Sequence, residues 1–329
     1  MNTRHTKTLA IVLAAMLAGL FTTSLVNDQD ESSTGVLLFP DLKAQINQIS
    51  QVSVSKAGES ATMNNHAGEW VLVESQNYPV DPGKLRQLLV SLADAKILEE
   101  KTSNAKLYER LGVEDTAADN QGTEIRFGIA DDETSIIIGN LAQRNYRFAR
   151  IRGETESWLI DRNPVVPADI SDWLLPKILN IDSIGVQAVT ITHSNGESIH
   201  IEKDHRAARN FAVSQIPDGR EILYPSVVDG IADVMNGLNL EDVAEAAESH
   251  EDESFARTVF TTFDGLTVTI DSSMRDEDTW ISLHAVHADA ESDEVTMIND
   301  RVVGWTYQIQ AYKADQLRRR WDDILKAVE

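Results

Sequence analysis

Residues 69–92 have the sequence EWVLVESQNYPVDPGKLRQLLVSL, which predicts a β-strand followed by a helix. The strand covers the mainly apolar residues 69–73. Asp81 and Pro82 indicate a helix start, because Asp is a favoured N-cap residue and Pro is favoured at the first helical position. Four leucines then recur at helical spacing: Leu85, Leu88, Leu89 and Leu92. We therefore expect a helix that packs against a core by one face.

Strands are predicted on both sides of this helix, and a similar order recurs in the second half of the chain. In the first half they cover residues 46–54, 69–73, 123–129, 135–139, 146–151 and 157–160. In the second half they cover residues 189–192, 198–201, 211–213, 257–263, 266–271 and 280–286, with a helix at 226–238 that opens at Pro225. Pro82 and Pro225 are 143 residues apart, and Trp70 and Phe211 are 141 apart. The fold class predicted is α+β with two similar ββ-α-βββ domains, produced by duplication or by chance similarity of two common domains.

Four segments follow from this organisation. Residues 1–31 are predicted to be an N-terminal signal-anchor helix, and residues 32–162 the first domain. A proline-rich connector covers residues 163–182 and includes a short helix at 169–179. Residues 183–329 form the second domain, which ends in a helix at 314–328 with one apolar face.

The N-terminal segment contains an uncharged, mostly apolar run from Leu9 to Val26. A helix of these 18 residues would be about 27 Å long, close to the roughly 30 Å hydrocarbon core of a bilayer. A cleaved signal peptide is the alternative, although residues 22–24 make a weak cleavage site. Arg4 and Lys7 precede the run, so we expect a single span through the bacterial inner membrane at residues 9–26. The N-terminus would be cytoplasmic and residues 32–329 periplasmic.

The composition excludes several classes of protein. The 329 residues include 29 Lys and Arg against 53 Asp and Glu, a formal net charge of −24, and no cysteine. Nucleic-acid binding is not expected, because phosphate recognition depends on an excess of basic residues. Disulfides, Cys-ligated metals and a lipidated N-terminal cysteine are also excluded.

The chain has no local catalytic signature. The glycine-rich nucleotide motifs, the zinc motif HExxH, the serine motif GxSxG and the EF-hand loop are all missing from the sequence. We therefore predict no catalytic residues, no cofactor and no metal. A hydrolase stays open as an alternative, because catalytic groups can converge from distant parts of the sequence.

Residues 144–152 are unusual in this acidic chain, because they carry four arginines interleaved with aromatic residues. The candidate interaction residues are Arg144, Tyr146, Arg147, Arg150 and Arg152. Guanidinium groups suit carboxylates and phosphates, so these residues predict an anionic ligand or partner, with internal salt bridges as the alternative. A second basic run at 318–320 suits a helix C-terminus. The acidic stretch 241–253 is predicted to be a solvated helix end and loop.

The order of several short motifs resembles a known bacterial family, the domain-of-unknown-function family 4340. The motifs are Ile46/Ile49/Val52/Val54, EWVL at 69–72, PVDP at 79–82, LYERLGV at 107–113, IIIGN at 136–140, YRFAR at 146–150 and WLI at 158–160. The resemblance covers residues 40–180 well and the second half loosely. It implies a single-span protein with an exported α/β region, and some members are labelled auxiliary components of ABC-type transport systems linked to gliding motility. It implies no catalytic residues.

Two hypotheses of function follow. The first is a non-enzymatic accessory protein that presents its periplasmic domains to an ABC-type permease and ATPase or to another envelope complex. The alternative is a periplasmic binding module for an anionic envelope ligand, recognised by the arginines of residues 144–152.

Overall fold

The computed structural model describes residues 35–115, 122–129, 132–246, 253–289 and 292–327. None of the helices in these segments is long and apolar enough to cross a membrane. The predicted span at residues 9–26 lies outside the described residues.

Two antiparallel sheets dominate this mixed α/β structure. The ten strands of the first sheet are β1 Val36–Leu37, β2 Ile49–Lys56, β3 Glu59–His66, β4 Glu69–Leu72, β5 Tyr78–Pro79, β6 Lys96–Thr102, β7 Thr123–Ile129, β8 Asp132–Leu141, β9 Arg147–Ile151 and β10 Ser157–Ile160. The nine strands of the second sheet are β11 Lys177–Leu179, β12 Val186–His193, β13 Ser198–Glu202, β14 Ala212–Ser214, β15 Leu238–Glu245, β16 Glu253–Thr262, β17 Leu266–Arg275, β18 Asp278–His287 and β19 Trp305–Ile309.

The helices are short and accompany the sheets. They are α1 Leu42–Gln45, α2 Pro82–Ala93, α3 Tyr108–Leu111, α4 Asp229–Ala232, α5 Asp293–Val302, α6 Ala311–Leu317 and α7 Trp321–Ile324. Helix α2 matches the sequence prediction. The Asp81 Oδ1 atom accepts a hydrogen bond of 2.8 Å from the Gly83 amide. The four leucines of its apolar stripe are all buried, so capping and periodicity agree with the tertiary structure.

The two sheets have the same strand order. The first sheet runs β1-β6-β10-β9-β8-β7-β2-β3-β4-β5, and the second runs β11-β15-β19-β18-β17-β16-β12-β13-β14. The nine strands of the second sheet match the first nine of the first sheet, position by position. The unit is longer than the predicted ββ-α-βββ, because the sequence analysis did not predict the strands β1, β3, β5, β6, β11, β15 and β19. In β6, for example, residues 99 and 100 are both exposed, which breaks the alternation that identifies a half-buried strand.

One hydrophobic cluster includes buried residues of both sheets. Tyr78, 1% exposed, lies where the sheets meet. Its ring is edge-on to Trp305 and to Tyr307, with centroids 5.0 and 6.1 Å apart. Residues 175 and 176 also link the two sheets through backbone hydrogen bonds. The Leu175 amide donates to the Pro79 carbonyl in β5, and the Leu240 amide of β15 donates to the Pro176 carbonyl, each at 2.8 Å.

The predicted helix at 226–238 is wrong beyond a single turn. Only Asp229–Ala232 is α-helical, and strand β15 begins at Leu238. The Asp229 carboxylate accepts from the Phe211 amide at 2.9 Å. The chain then turns through Gly237, whose φ is +61°. At the end of this segment, the buried Lys313 ammonium donates hydrogen bonds to the backbone carbonyls of Asp233 and Asn236, at 2.5 and 2.8 Å.

Two further predictions of helix are also corrected. Residues 169–179 contain a 3-10 turn at Ser171–Trp173 and strand β11. The acidic stretch from residue 241 begins inside strand β15, whose buried positions Leu238, Leu240 and Val243 face the core. Acidic residues at the outward-facing positions of β15 made this part of the sequence resemble a loop, so the strand was not predicted. Residues 247–252 of the acidic stretch lie outside the described residues.

The predicted C-terminal helix at 314–328 is divided into α6 and α7. Residues 318–320 separate them, and Arg320 has extended backbone angles. The Arg318 guanidinium reaches Thr279 and lies 5.5 Å from the Phe255 ring centroid. Arg320 forms an ion pair of 2.7 Å with Glu197. These side-chain contacts with the second sheet outweigh the helical propensity of the segment, so the basic run holds the chain end on the protein's own surface.

Glu197→Gln is expected to destabilise this chain end in a pH-dependent way. Burial would raise the pKa of Glu197, but the Trp321 amide and the Arg320 guanidinium outweigh it and hold the pKa below its ordinary value of 4.5. The stabilisation is therefore complete above pH 4.5 and is lost as pH falls through the lower, folded-state pKa. We expect a loss of about 1–2 kcal/mol at neutral pH, measured by urea unfolding. A loss of equal size in acid would contradict the ionic contribution.

Candidate functional site

The predicted arginine segment lies in β9 and in the turn before it. Strand β9 pairs with β8 on one side and β10 on the other. Ala149 belongs to the main core, whereas Phe148 packs on a small second cluster of Tyr108, Val113 and Ile137 on the opposite face. Arg150 shares this second face, because side chains alternate along a strand.

Arg150 is fully occupied by internal contacts. Its side chain is 2% exposed and lies 4.6 Å from the centroid of the Tyr108 ring. The guanidinium donates to the Val113 carbonyl at 2.8 Å, the Glu154 carbonyl at 2.9 Å and Asp115 Oδ1 at 2.6 Å. Each nitrogen has an acceptor within the chain, so Arg150 fastens the segment that follows α3 to the sheet.

Arg152 and Arg147 are also engaged within the protein. Arg152 donates to Glu124 Oε1 at 2.7 Å, and this hydrogen bond with the buried carboxylate raises the pKa of Arg152. Arg147 donates to Asn163 Oδ1 at 2.7 Å and to the Gly139 carbonyl at 3.1 Å. Arg150 and Arg152 thus form internal salt bridges, the alternative to a ligand, whereas Arg147 is held by neutral acceptors.

Arg144 and Tyr146 have a different setting, because both line a pocket. The pocket has a volume of about 340 Å³ and is lined by Lys101, Ala142, Gln143, Arg144, Tyr146, Phe148 and Leu159. Arg144 is exposed, and no ion pair joins it to any residue within the described segments. Its φ of 59° and the 62° of Asn145 place two successive residues in the left-handed region. L-residues adopt this region at a cost of about 1 kcal/mol or more.

Contacts around the turn hold this conformation. The Ala142 amide donates to the Tyr146 carbonyl at 2.8 Å, and Asn163 Nδ2 donates to Asn145 Oδ1 at 3.0 Å. Since Asn163 also accepts from Arg147, the internally bound arginine supports the turn that carries Arg144. The turn thus places one guanidinium at the rim of the pocket.

Lys101 reaches the same pocket from β6 through a β-bulge. Ser157 pairs with Thr102 and Trp158 with Glu100, so Lys101 has no partner residue in β10. A bulge of this kind re-aims a side chain. The ammonium group lies 2.7 Å from Glu99 Oε2, and that carboxylate side chain is 61% exposed. The floor between the two cations is apolar, because Phe148 and Leu159 are directly opposite each other in β9 and β10.

Sequence reasoning identified Arg144 and Tyr146 but missed Lys101, Phe148 and Leu159. The sequence did contain a signal for Phe148: in a strand, residues 146 and 148 of the motif YRFAR lie on the same face. The bulge that brings in Lys101 had no signal in the sequence, because it depends on the register between β6 and β10.

Two other pockets carry fewer distinctive groups. One, of about 410 Å³, lies against α2 and is lined by Trp70, Leu85, Arg86 and neighbours. Another, of about 260 Å³, lies between the β2–β3 hairpin and residues 166–173, where Lys56, Glu59 and Asp169 are of mixed sign. No group of three or more His, Asp and Glu side chains with metal-binding geometry occurs in the parts of the chain that the structure covers.

Comparison with known proteins gives one match. Neither the curated proteins nor the solved structures include a significant match to this chain. The family model described as "Domain of unknown function (DUF4340)" matches residues 70–257, from β4 of the first sheet to β16 of the second. The opening motif of residues 46–54 lies before the matched segment. Because the match covers more than half of the 329 residues, the chain belongs to the DUF4340 family.

Proposed function

We propose that this protein is a non-enzymatic accessory protein of the bacterial envelope, anchored by residues 9–26 in the inner membrane. Its periplasmic part would serve an ABC-type transport system or another envelope complex. The apolar run and the basic residues before it support the anchor and its orientation. Family membership, with the labels that some members carry, supports the transport role.

The observation that carries this proposal is the closeness of the folded part to the predicted anchor. Strand β1 begins at Val36, ten residues after the last apolar residue, Val26. Ten residues span at most about 35 Å when fully extended. Strand β1 pairs with β6 at one edge of the first sheet. In an anchored chain, this edge of the first sheet would therefore stay close to the bilayer surface, where it could contact the exposed parts of membrane proteins.

We also propose that the two halves arose by duplication, which gives the partner two related surfaces. The identical order of nine strands supports this, as does the offset of 141 residues between Trp70 in β4 and Phe211 directly before β14. The second copy differs by helix α5, inserted between β18 and β19. Its Asn299 side chain exchanges two hydrogen bonds with the Ala285 backbone, of 2.8 and 2.9 Å, and so occupies part of the β18 edge.

Affinity capture tests the accessory role. Full-length protein extracted in mild detergent should recover permease or ATPase subunits, identified by mass spectrometry. The matched control is Leu13→Arg with Leu17→Arg, since each arginine at the centre of a span costs about 2.5–3.5 kcal/mol. We expect this variant to leave the membrane fraction and to lose the captured subunits. Repeated recovery of the intact protein alone would contradict the proposal.

A binding module for an anionic ligand is the second candidate, favoured by the pocket beside Arg144. Native mass spectrometry of the full-length protein tests it. Wild-type protein should retain an acidic small molecule that Arg144→Gln releases, whereas Arg209→Gln, an exposed arginine of the second half, should not change retention. Loss of the molecule in both variants, or in neither, would count against this module.

A further inference from the structure

We infer that the pocket between Lys101 and Arg144 binds an anionic amphiphile, the phosphate headgroup and adjoining carbons of an acidic phospholipid. This inference rests on the proposed anchoring and on the second candidate function, and it names the ligand class. The defining residues are Lys101, Arg144, Tyr146, Phe148 and Leu159.

The floor of the pocket suits an apolar group. Phe148 and Leu159 lie side by side on adjacent strands, and Tyr146 adds an aromatic ring with a polar tip. Tyrosine is enriched at membrane interfaces for this reason. The volume of about 340 Å³ is near the lower limit of ligand pockets, which start at about 300 Å³. It therefore accommodates a headgroup and the first carbons rather than a complete lipid.

The rim of the pocket suits an anion. Arg144 is held at one end by its left-handed turn and has no ion pair with another described residue. Lys101 is on β6, and its partner Glu99 is largely exposed. Such a surface pair contributes only about 0–1 kcal/mol, so the ammonium group can turn to a ligand at little cost. Among the described residues, Glu99 is the carboxylate that forms an ion pair with one of these two cations, Lys101. Its negative charge would repel a bound anion.

The place of the pocket in the fold points to a membrane source for the anion. Strand β1, the described strand nearest the predicted anchor, lies beside β6, and β6 carries Lys101. Acidic lipids attract basic groups near a bilayer surface, an attraction that fades within a Debye length of about 10 Å. A chain with a net charge of −24 is repelled from such a surface overall, so local cations at the anchored edge are needed for contact.

Photolabelling in a bilayer tests the inference. Full-length protein is placed in phosphatidylcholine nanodiscs that contain a small fraction of diazirine-bearing phosphatidylglycerol, and the labelled residues are mapped by mass spectrometry. The parallel sample contains the same diazirine on phosphatidylcholine. We expect phosphatidylglycerol to label residues 142–148 and 159 at least about fivefold more than phosphatidylcholine, which corresponds to about 1 kcal/mol for a charge contact.

Substitutions of opposite sign sharpen the test. Arg144→Gln and Lys101→Gln should each lower labelling about fivefold, whereas Glu99→Gln should raise it. Arg209→Gln is the matched control and should leave labelling unchanged. Because Glu99→Gln predicts a gain, misfolding of a variant does not imitate the expected pattern.

Other outcomes would overturn the inference. Equal labelling by the two lipids would mean that charge does not select the ligand, and labelling insensitive to Arg144→Gln would place the site elsewhere. Complete displacement by millimolar inorganic phosphate would assign a free-phosphate site. Failure of the protein to enter nanodiscs would contradict the anchoring itself, and retention of another acidic molecule would preserve the second candidate while excluding this ligand.

Discussion

Replacing Arg150 with methionine is expected to lower the free energy of unfolding by about 2–4 kcal/mol, because a buried guanidinium and all three of its hydrogen bonds are lost. The side chain is 2% exposed, and the buried Val113 carbonyl that accepts from it would lose its donor. Glu154 and Asp115 are exposed, so water can replace the donor at those two acceptors. The contact with the Tyr108 ring would be lost as well. Chemical denaturation of the full-length protein, followed by tryptophan fluorescence, measures the change.

Arg144→Met is the matched control for this prediction. It removes the same charge six residues earlier, but from an exposed side chain, so its effect should stay within about 0.5 kcal/mol. Arg150→Lys should lie between the two variants, because lysine keeps the charge but not the planar set of donors. A loss below about 1 kcal/mol for Arg150→Met would mean that the segment after α3 does not depend on this arginine.

Tyr78→Ala should cost about 3–5 kcal/mol, the usual range for an aromatic side chain removed from a core. Tyr78 fills the junction of the two sheets, where its ring contacts Trp305 and Tyr307. Because β5 and β19 belong to different sheets, the cavity would weaken the coupling between them. We therefore expect thermal unfolding to occur at lower temperature and to separate into two transitions, as seen by calorimetry.

Tyr78→Phe keeps the ring and serves as the control. It removes only the buried hydroxyl, at a cost of about 1 kcal/mol. Burial raises the pKa of both tyrosines above 10.0. Stability should therefore be complete below pH 10 and fall as pH rises above it, a decline that Tyr78→Phe makes shallower. Equal destabilisation by the alanine and phenylalanine variants would show that the ring contacts do not join the sheets.

The accuracy of the sequence-based predictions varies with the range of the interactions involved. Helix α2 was predicted well because its N-cap, proline and leucine stripe all lie within twelve residues. Strand β6 was missed because its exposed acids conceal it, and it is a strand only because β1 and β10 bind its two sides. The helix at 226–238 was over-extended because its apolar periodicity also fits turns and a strand buried in a core.

The arginine segment shows the same division at the level of the site. Composition singled out residues 144–152 as a basic segment in an acidic chain. Composition could not identify the residues that these arginines contact, since Arg150 donates to Val113 and Asp115, which are 37 and 35 residues away in the chain. The pocket at Arg144 likewise needs Lys101, which reaches it through the register of two strands distant in sequence.

The acidic charge, the missing cysteines, the apolar N-terminal run, the family motifs and the capped helix α2 follow from the sequence alone, because each depends on composition or on neighbours within a few turns of chain. The tertiary structure decided which arginines are internal and which one is left at a pocket, and it joined the sheets through Tyr78. These outcomes depend on long-range strand register and side-chain packing. A shift of one residue in register reverses the face on which a side chain lies, and a local pattern of residues does not encode that register.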